Sequence, residues 1–178
     1  MEIKDLIEGE EWGGNLNTDF SGVHYDSRKI SKGDIFVAIS GFKADGHNYI
    51  RQALEAGASG VVLEKEEVKP EDIPWIKVGD SRLALSRLSA FVYDYPSSKL
   101  RLIGVTGTNG KTTTTFLIEK ILMEAGGKTG LLGTIENRIA GKRLETHHTT
   151  PESPDLNGLF ARMLDEGVET AVMEVSSH

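Results

Sequence analysis

Short apolar runs separated by glycine and acidic residues fill the first part of the chain, each the length of a buried strand. Asp34-Ile35-Phe36-Val37-Ala38-Ile39, Gly60-Val61-Val62-Leu63 and Trp75-Ile76-Lys77-Val78 are predicted strands. Between them, helical spacing from about His47 to Ala56 puts Ile50, Ala53 and Leu54 on one face, with Gly57 as a stop. A second helix is predicted after Asp80, a suitable N-cap, and carries Leu83, Leu85, Leu88, Phe91 and Val92. Tyr95-Pro96-Ser97-Ser98-Lys99 breaks this pattern, because proline cannot continue a helix and the stretch has little to bury. A domain boundary is therefore predicted between residues 98 and 99.

The pattern then restarts. Leu100 to Val105 is a predicted strand, Lys111 to Ala125 a helix closed by Gly126-Gly127, and Thr129 to Thr134 a second strand, which together make a parallel βαβ unit. Ile135 to Leu144 reads as a hairpin turning at Ala140-Gly141. Ser153-Pro154-Asp155 supplies an N-cap, a proline at the first helical position and an acidic first turn. The helix it opens turns Leu156, Leu159, Phe160, Met163 and Leu164 toward the sheet and stops at Gly167. Thr170 to Val175 is a buried-type strand that carries one carboxylate, Glu174. The fold class expected is α/β, in two domains.

At 178 residues the chain has room for two small cores. A net charge of −7 without a basic stripe argues against a nucleic-acid backbone as the main ligand, so any anion must be bound locally. The lack of cysteine excludes disulfides and Cys-based zinc sites and fits a reducing compartment. The acidic start, Met1 to Glu11, has no signal-peptide order, and no apolar run approaches bilayer length. A cytoplasmic protein without membrane insertion is expected.

The chemistry concentrates in Gly104-Val105-Thr106-Gly107-Thr108-Asn109-Gly110-Lys111-Thr112-Thr113-Thr114, set between an apolar strand and an apolar-periodic helix. Its glycines let backbone N–H groups turn toward an anion, to which the helix adds its positive end. In a phosphate-binding loop of this kind Lys111 reaches the β- and γ-phosphates, and the Thr112 hydroxyl holds a bridging Mg²⁺. The general pattern asks for glycine where Val105 stands. The bland alternative is a glycine-rich turn with a surface lysine. Glu174, a charge in an apolar strand, is a candidate metal partner, the alternative being a structural pair with a lysine or an exposed strand end. Thr149-Thr150-Pro151 enters the helix at Ser153 and can face an anionic substrate or simply cap. Arg28 can fork onto a phosphate or pair with Asp26, and Asp45-Gly46-His47 is a turn that can equally be a helix cap. The adjacent His147 and His148 would point to opposite faces of a strand, and no zinc-type spacing is present. Trp12 and Trp75 are expected to pack rather than to stack on bases.

Taken together these motifs resemble the Mur ligases of bacterial peptidoglycan synthesis, over nearly the whole chain. Asp26-Ser27-Arg28, Gly33-Asp34-Ile35-Phe36-Val37-Ala38, Gly41, Asp45-Gly46-His47 and Gly57-Ala58 are similar to the family's uridine-nucleotide domain. Gly104 to Thr114, Thr149-Thr150-Pro151 and Met173-Glu174-Val175-Ser176-Ser177-His178 are similar to the first part of its P-loop, Rossmann-like ATP-binding domain. The Thr106-to-Thr112 variant of the loop is the form these ligases use. The threonine pair and the Glu-Val-Ser-Ser-His ending favour the branch that adds a diamino acid.

The resemblance implies attachment of meso-diaminopimelate or L-lysine to the D-glutamate of UDP-N-acetylmuramoyl-L-alanyl-D-glutamate, with ATP and Mg²⁺, through an acyl phosphate. It implies ATP contacts at Gly107, Thr108, Asn109, Gly110, Lys111, Thr112 and Thr113, with Lys111 catalytic and Thr112 and Glu174 on the metal. For the UDP-muramoyl-dipeptide it implies Tyr25, Ser27, Phe42, Lys43, Ala44, Thr149, Thr150 and Ser176. It further implies a monomer, and a family chain longer than this one, with a modified lysine and a third domain beyond residue 178. Two other readings stay open: another ligase of the superfamily, such as a MurF-like or a folylpolyglutamate or cyanophycin synthetase, and a nucleotide-sugar binding module without catalysis.

Overall fold

The structure is a computed structural model that describes residues 3, 6–14, 20–41, 44–144 and 150–176. The chain divides into two compact units, Met1–Val92 and Tyr93–His178.

In the first unit β1 (Glu11–Gly13), β2 (Val23–His24), β3 (Ile35–Val37), β4 (Gly60–Leu63) and β5 (Trp75–Lys77) form one sheet in the order β1-β5-β4-β3-β2. Strands β2 to β5 are parallel and β1 runs against β5. Every residue of β3 and β4 is buried, as a parallel sheet covered on both faces requires of its apolar runs. Ile35 and Val37 share a core with Ala84, Leu85 and Leu88 of α2 (Ser81–Val92). Phe36 and Ala38, one residue out of phase, pack with Ile50 and Ala53 of α1 (Ile50–Glu55).

Two expectations narrow here. The strand expected from Asp34 begins at Ile35, because the buried Asp34 carboxylate closes a turn by accepting from the Ser31 N–H at 2.8 Å. The helix expected from His47 is a 3₁₀ turn over Gly46–Tyr49 before it becomes α1, and Asp45 caps that turn through the His47 N–H at 3.1 Å. The Asp80 carboxylate caps α2, accepting from the Leu83 N–H at 2.9 Å. Trp75 packs partly buried on the α1-side core, while Trp12 is exposed.

The second unit holds β6 (Arg101–Val105), α3 (Lys111–Glu124), β7 (Thr129–Leu132), β8 (Asn137–Ile139), β9 (Lys142–Leu144), α4 (Ser153–Asp165) and β10 (Thr170–Glu174). Its sheet runs β6-β10-β7-β8-β9, parallel across β6, β10 and β7 and antiparallel beyond. The two strands of the predicted βαβ unit are parallel but not neighbours, since β10, buried along its whole length, lies between them. This insertion positions the site, because it carries Glu174 on an interior strand between β6 and β7, opposite Val105.

The β8–β9 hairpin turns at Ala140 and Gly141, whose φ values of 50° and 79° are both positive, as a type I′ turn requires. Helix α4 begins at Ser153 rather than after it. Glu152 occupies the cap position and its side chain does not cap the helix, so the expected Ser153 cap is not formed. Phe160 and Met163 are buried against Leu132, Ala171 and Met173. The Pro96–Ser98 stretch is a 3₁₀ turn in this second unit, packed against α4, with Pro96 buried. No helix among the described residues is long and apolar enough to cross a membrane.

Candidate nucleotide and metal site

Strand β6 ends at Val105, and the exposed loop 106–110 leads into the first residue of α3. Gly110 sits at the cap in the left-handed region, φ 78°, with open space where a β-carbon would stand. Gly107 also has a positive φ, 141°. Both positions thus demand glycine and leave the backbone accessible at the positive end of a 14-residue helix. Lys111 donates through Nζ to the Gly107 carbonyl at 2.7 Å, folding its ammonium over the loop. Thr108, Asn109 and Thr113 are exposed around it.

Thr112, one position along, turns toward the sheet, where its hydroxyl donates to Oε1 and Oε2 of Glu174 at 3.0 and 3.1 Å. The same carboxylate accepts the Thr134 N–H on Oε1 and the Thr134 hydroxyl on Oε2, each at 3.0 Å. Glu174 is 1% exposed, and among the described residues no lysine, arginine or histidine pairs with it. A structural ion pair is therefore not its role among these residues. A buried carboxylate held only by hydroxyls and an N–H keeps an uncompensated charge, which costs several kcal/mol unless a cation joins it.

The donor set suits Mg²⁺. Both groups are hard oxygens, and the single proton of Thr112 is committed to the carboxylate, which leaves the lone pairs of Oγ1 for a metal. No group of three or more His, Cys, Asp or Glu able to hold a metal occurs among the described residues. Thr112 and Glu174 therefore fit an ion that is completed by phosphate oxygens and water rather than an all-protein cage.

Thr150 and Ser176 meet beside this cluster. Thr150 Oγ1 accepts the Ser176 N–H at 3.1 Å, lies 3.0 Å from Ser176 Oγ and donates to the Glu174 carbonyl at 3.3 Å. The loop residues, Thr112, Glu174, Thr150 and Ser176 thus gather at the carboxyl ends of β6 and β10, where open α/β sheets hold ligands. Thr149, Phe42 and Lys43 lie outside the described residues.

In the first unit, a 3₁₀ turn over Ser27–Lys29 follows β2. Ser27 is buried there, and its hydroxyl donates to Gln52 Oε1 at 2.9 Å, so its proton is engaged within the domain. Tyr25 packs partly buried on the α2-side core. Ala44 accepts the Gly41 N–H at 3.0 Å in the turn after β3. Arg28 forks onto Asp26, Nε to Oδ1 at 2.9 Å and Nη2 to Oδ2 at 2.7 Å, and holds that carboxyl down at about 2. Of its two open fates, the guanidinium takes the local pair.

One residue the sequence left as a possible cap does more. His47 is buried, with Nδ1 2.7 Å from Asp45 Oδ1 and Nε2 accepting the N–H groups of Glu64 and Lys65 at 3.0 and 3.3 Å. The two backbone donors assign the ring proton to Nδ1. The imidazole ties the turn after β3 to the end of β4. The Asp-Gly-His spacing marked a turn but gave no sign of this distant partner.

A glycine loop between strand and helix, a lysine and a hydroxyl at the helix start, and a carboxylate on an adjacent strand define a P-loop α/β domain. Two family models divide the chain: Mur ligase family, catalytic domain, over residues 19–93, and Mur ligase middle domain over residues 105–178. The chain belongs to the Mur ligase family. It is 48% identical over 184 residues to a UDP-N-acetylmuramoyl-L-alanyl-D-glutamate--2,6-diaminopimelate ligase of Clostridium tetani, a match that takes in the whole of this chain and 38% of that one. A solved UDP-N-acetylmuramoyl-L-alanyl-D-glutamate--2,6-diaminopimelate ligase superposes on all of this chain and 36% of its own, with a TM-score of 0.77 and 27% identity. The MurF ligase of Thermotoga maritima, solved with ADP, shares the fold at a TM-score of 0.53 and 24% identity, over 85% of this chain and 31% of that one. The chain spans a little over a third of the length of the curated relatives it matches, 37% and 38% for two of them.

Proposed function

We propose that this chain forms the acceptor-binding domain and the first part of the ATP-binding domain of an amide ligase. In this reading a diamino acid, meso-diaminopimelate or L-lysine, is joined to the D-glutamate of UDP-N-acetylmuramoyl-L-alanyl-D-glutamate. The unit up to Val92 takes the UDP-muramoyl end and the unit from Tyr93 begins the nucleotide domain. The observation that carries the proposal is the buried Glu174 carboxylate, gripped by Thr112 and Thr134 at the mouth of the glycine loop, with no cation of the described chain beside it.

ATP, when bound, supplies the phosphoryl group that activates the substrate carboxylate; the amine then displaces phosphate from the acyl carbon. Lys111 exchanges the Gly107 carbonyl for phosphate oxygens and neutralises charge that builds during transfer, the main electrostatic demand of the step. Thr112 and Glu174 hold Mg²⁺. The exposed loop from Gly107 to Gly110 presents its N–H groups to the phosphates, with Thr113 at the helix start. Thr149, Thr150 and Ser176 orient the muramoyl peptide; Tyr25, Ser27, Phe42, Lys43 and Ala44 hold its nucleotide. The acidic chain works in the cytoplasm, as a monomer and without nucleic acid.

Phosphate release from ATP by the ligase at its relatives' full length tests this. Release should require the UDP-muramoyl-dipeptide and a diamino acid together. Tight binding of the nucleotide sugar with no phosphate release under any acceptor would replace the ligase with a binding module. Release that needs a dipeptide amine instead would indicate a MurF-like ligase.

A further inference from the structure

Thr134 is an exposed residue in the turn that follows β7, outside the phosphate loop. Yet both of its donors go to one buried group. The N–H meets Oε1 and the hydroxyl meets Oε2 of Glu174, each at 3.0 Å. A glutamate at a strand end can rotate its carboxylate about its last torsion. Two donors from a single residue, one on each oxygen, fix that plane much as a fork-shaped partner does. From the α3 side the Thr112 hydroxyl donates to the same two oxygens at 3.0 and 3.1 Å.

The turn that carries Thr134 is itself anchored. Gly133 donates its N–H to the buried Asn137 Oδ1 at 3.1 Å, which ties the turn to β8. Contacts therefore run without a gap from Asn137 through Gly133 and Thr134 to Glu174, and from Glu174 to Thr112.

We propose that Thr134 is a positioning residue of the metal site: it holds the Glu174 carboxylate in the plane that takes the Thr112 proton, so that the Thr112 oxygen keeps its lone pairs for Mg²⁺. The proposal rests on the metal role assigned above to Thr112 and Glu174. Thr134 itself touches neither metal nor phosphate in this account. Serine keeps both donors, whereas valine keeps the shape and the N–H but loses the hydroxyl that meets Oε2.

The test uses the full-length ligase with ADP and reads Mn²⁺ binding by electron paramagnetic resonance, in parallel with Mg²⁺-dependent turnover. Loss of a residue that orients a metal ligand commonly weakens metal affinity ~10-fold or more, and Thr134→Val should do so. Thr134→Ser should stay within about two-fold of the parent, since its two donors remain. ADP affinity without metal should be unchanged in both. If Thr134→Val does not fold, Thr134→Ala replaces it in the same comparison. Parental Mn²⁺ affinity in the valine variant would overturn the proposal, as would a serine variant as weak as the valine one. A parent that binds no Mn²⁺ in the presence of ADP would overturn the metal reading itself, a result distinct from a flat variant beside a binding parent.

Discussion

A β-carbon placed on Gly133 would stand 2.5 Å from Oε1 of Glu174, closer than any real contact allows. Gly133 is thus required by the neighbouring carboxylate, not by an unusual φ. In Gly133→Ala either the turn or the carboxylate must move, and overpacking of this kind costs about 1–3 kcal/mol. The variant should show a lower urea midpoint and a raised Mg²⁺ requirement for activity. Parental values in both measurements would mean the turn yields without disturbing Glu174.

Among the described residues Lys111 makes one hydrogen bond, to the Gly107 carbonyl in an exposed loop, so its loss should barely change stability. A charge-assisted contact made in the transition state is commonly worth about 10²–10³ in rate. Lys111→Ala in the full-length ligase should therefore lower kcat by at least that much at an unchanged melting temperature. Near-normal kcat would remove Lys111 from the phosphoryl transfer.

Glu174→Gln separates two roles of one side chain. The amide can still accept the Thr134 N–H and the Thr112 proton on its oxygen while Thr134 Oγ1 turns to accept from its NH₂. It also removes a buried charge that has no cationic partner among the described residues. Without metal the variant should melt at or above the parent's temperature. The rise in melting temperature that Mg²⁺ with nucleotide gives the parent should shrink or vanish, since a ligand stabilises only what it binds. A variant that loses stability without metal and keeps the full ligand-induced rise would show a structural carboxylate.

What could be read in the sequence was what lies close together along it. The glycine loop between strand and helix was legible because strand, glycines, lysine, threonine and helix are contiguous, and β4 was bounded to the residue by its short apolar run. Strand partners were not: periodicity gives a strand's faces but not its neighbours, so the place of β10 between β6 and β7 was invisible. The same limit hid the contacts that define the site. Thr134 lies 40 residues and Thr112 62 residues from the carboxylate they hold, and His47 reaches backbone groups 17 and 18 residues away. Each is a single polar residue at the end of an element, where plain capping predicts the same letter.

Glu119 offers a stability test that involves no ligand. It is buried on α3, where Oε2 takes Arg138 Nη1 at 2.9 Å and Oε1 is buried without a hydrogen bond among the described residues. Burial pushes its carboxyl above the ordinary value of 4.5, against the pull of Arg138. The folded state then holds a proton that the unfolded chain has released, so stability falls as pH rises from the ordinary value through the raised one, and is level above it. Glu119→Gln fixes the neutral form. Arg138 keeps Glu136 and the face of Phe116, 4.9 Å from the ring centre, so the arginine is not stranded. The variant's urea midpoint should therefore gain on the parent's as the pH rises upward from the ordinary carboxyl value of 4.5. A gap that moves the other way, with the parent gaining as the carboxyl ionises, would show that the Arg138 pair outweighs burial.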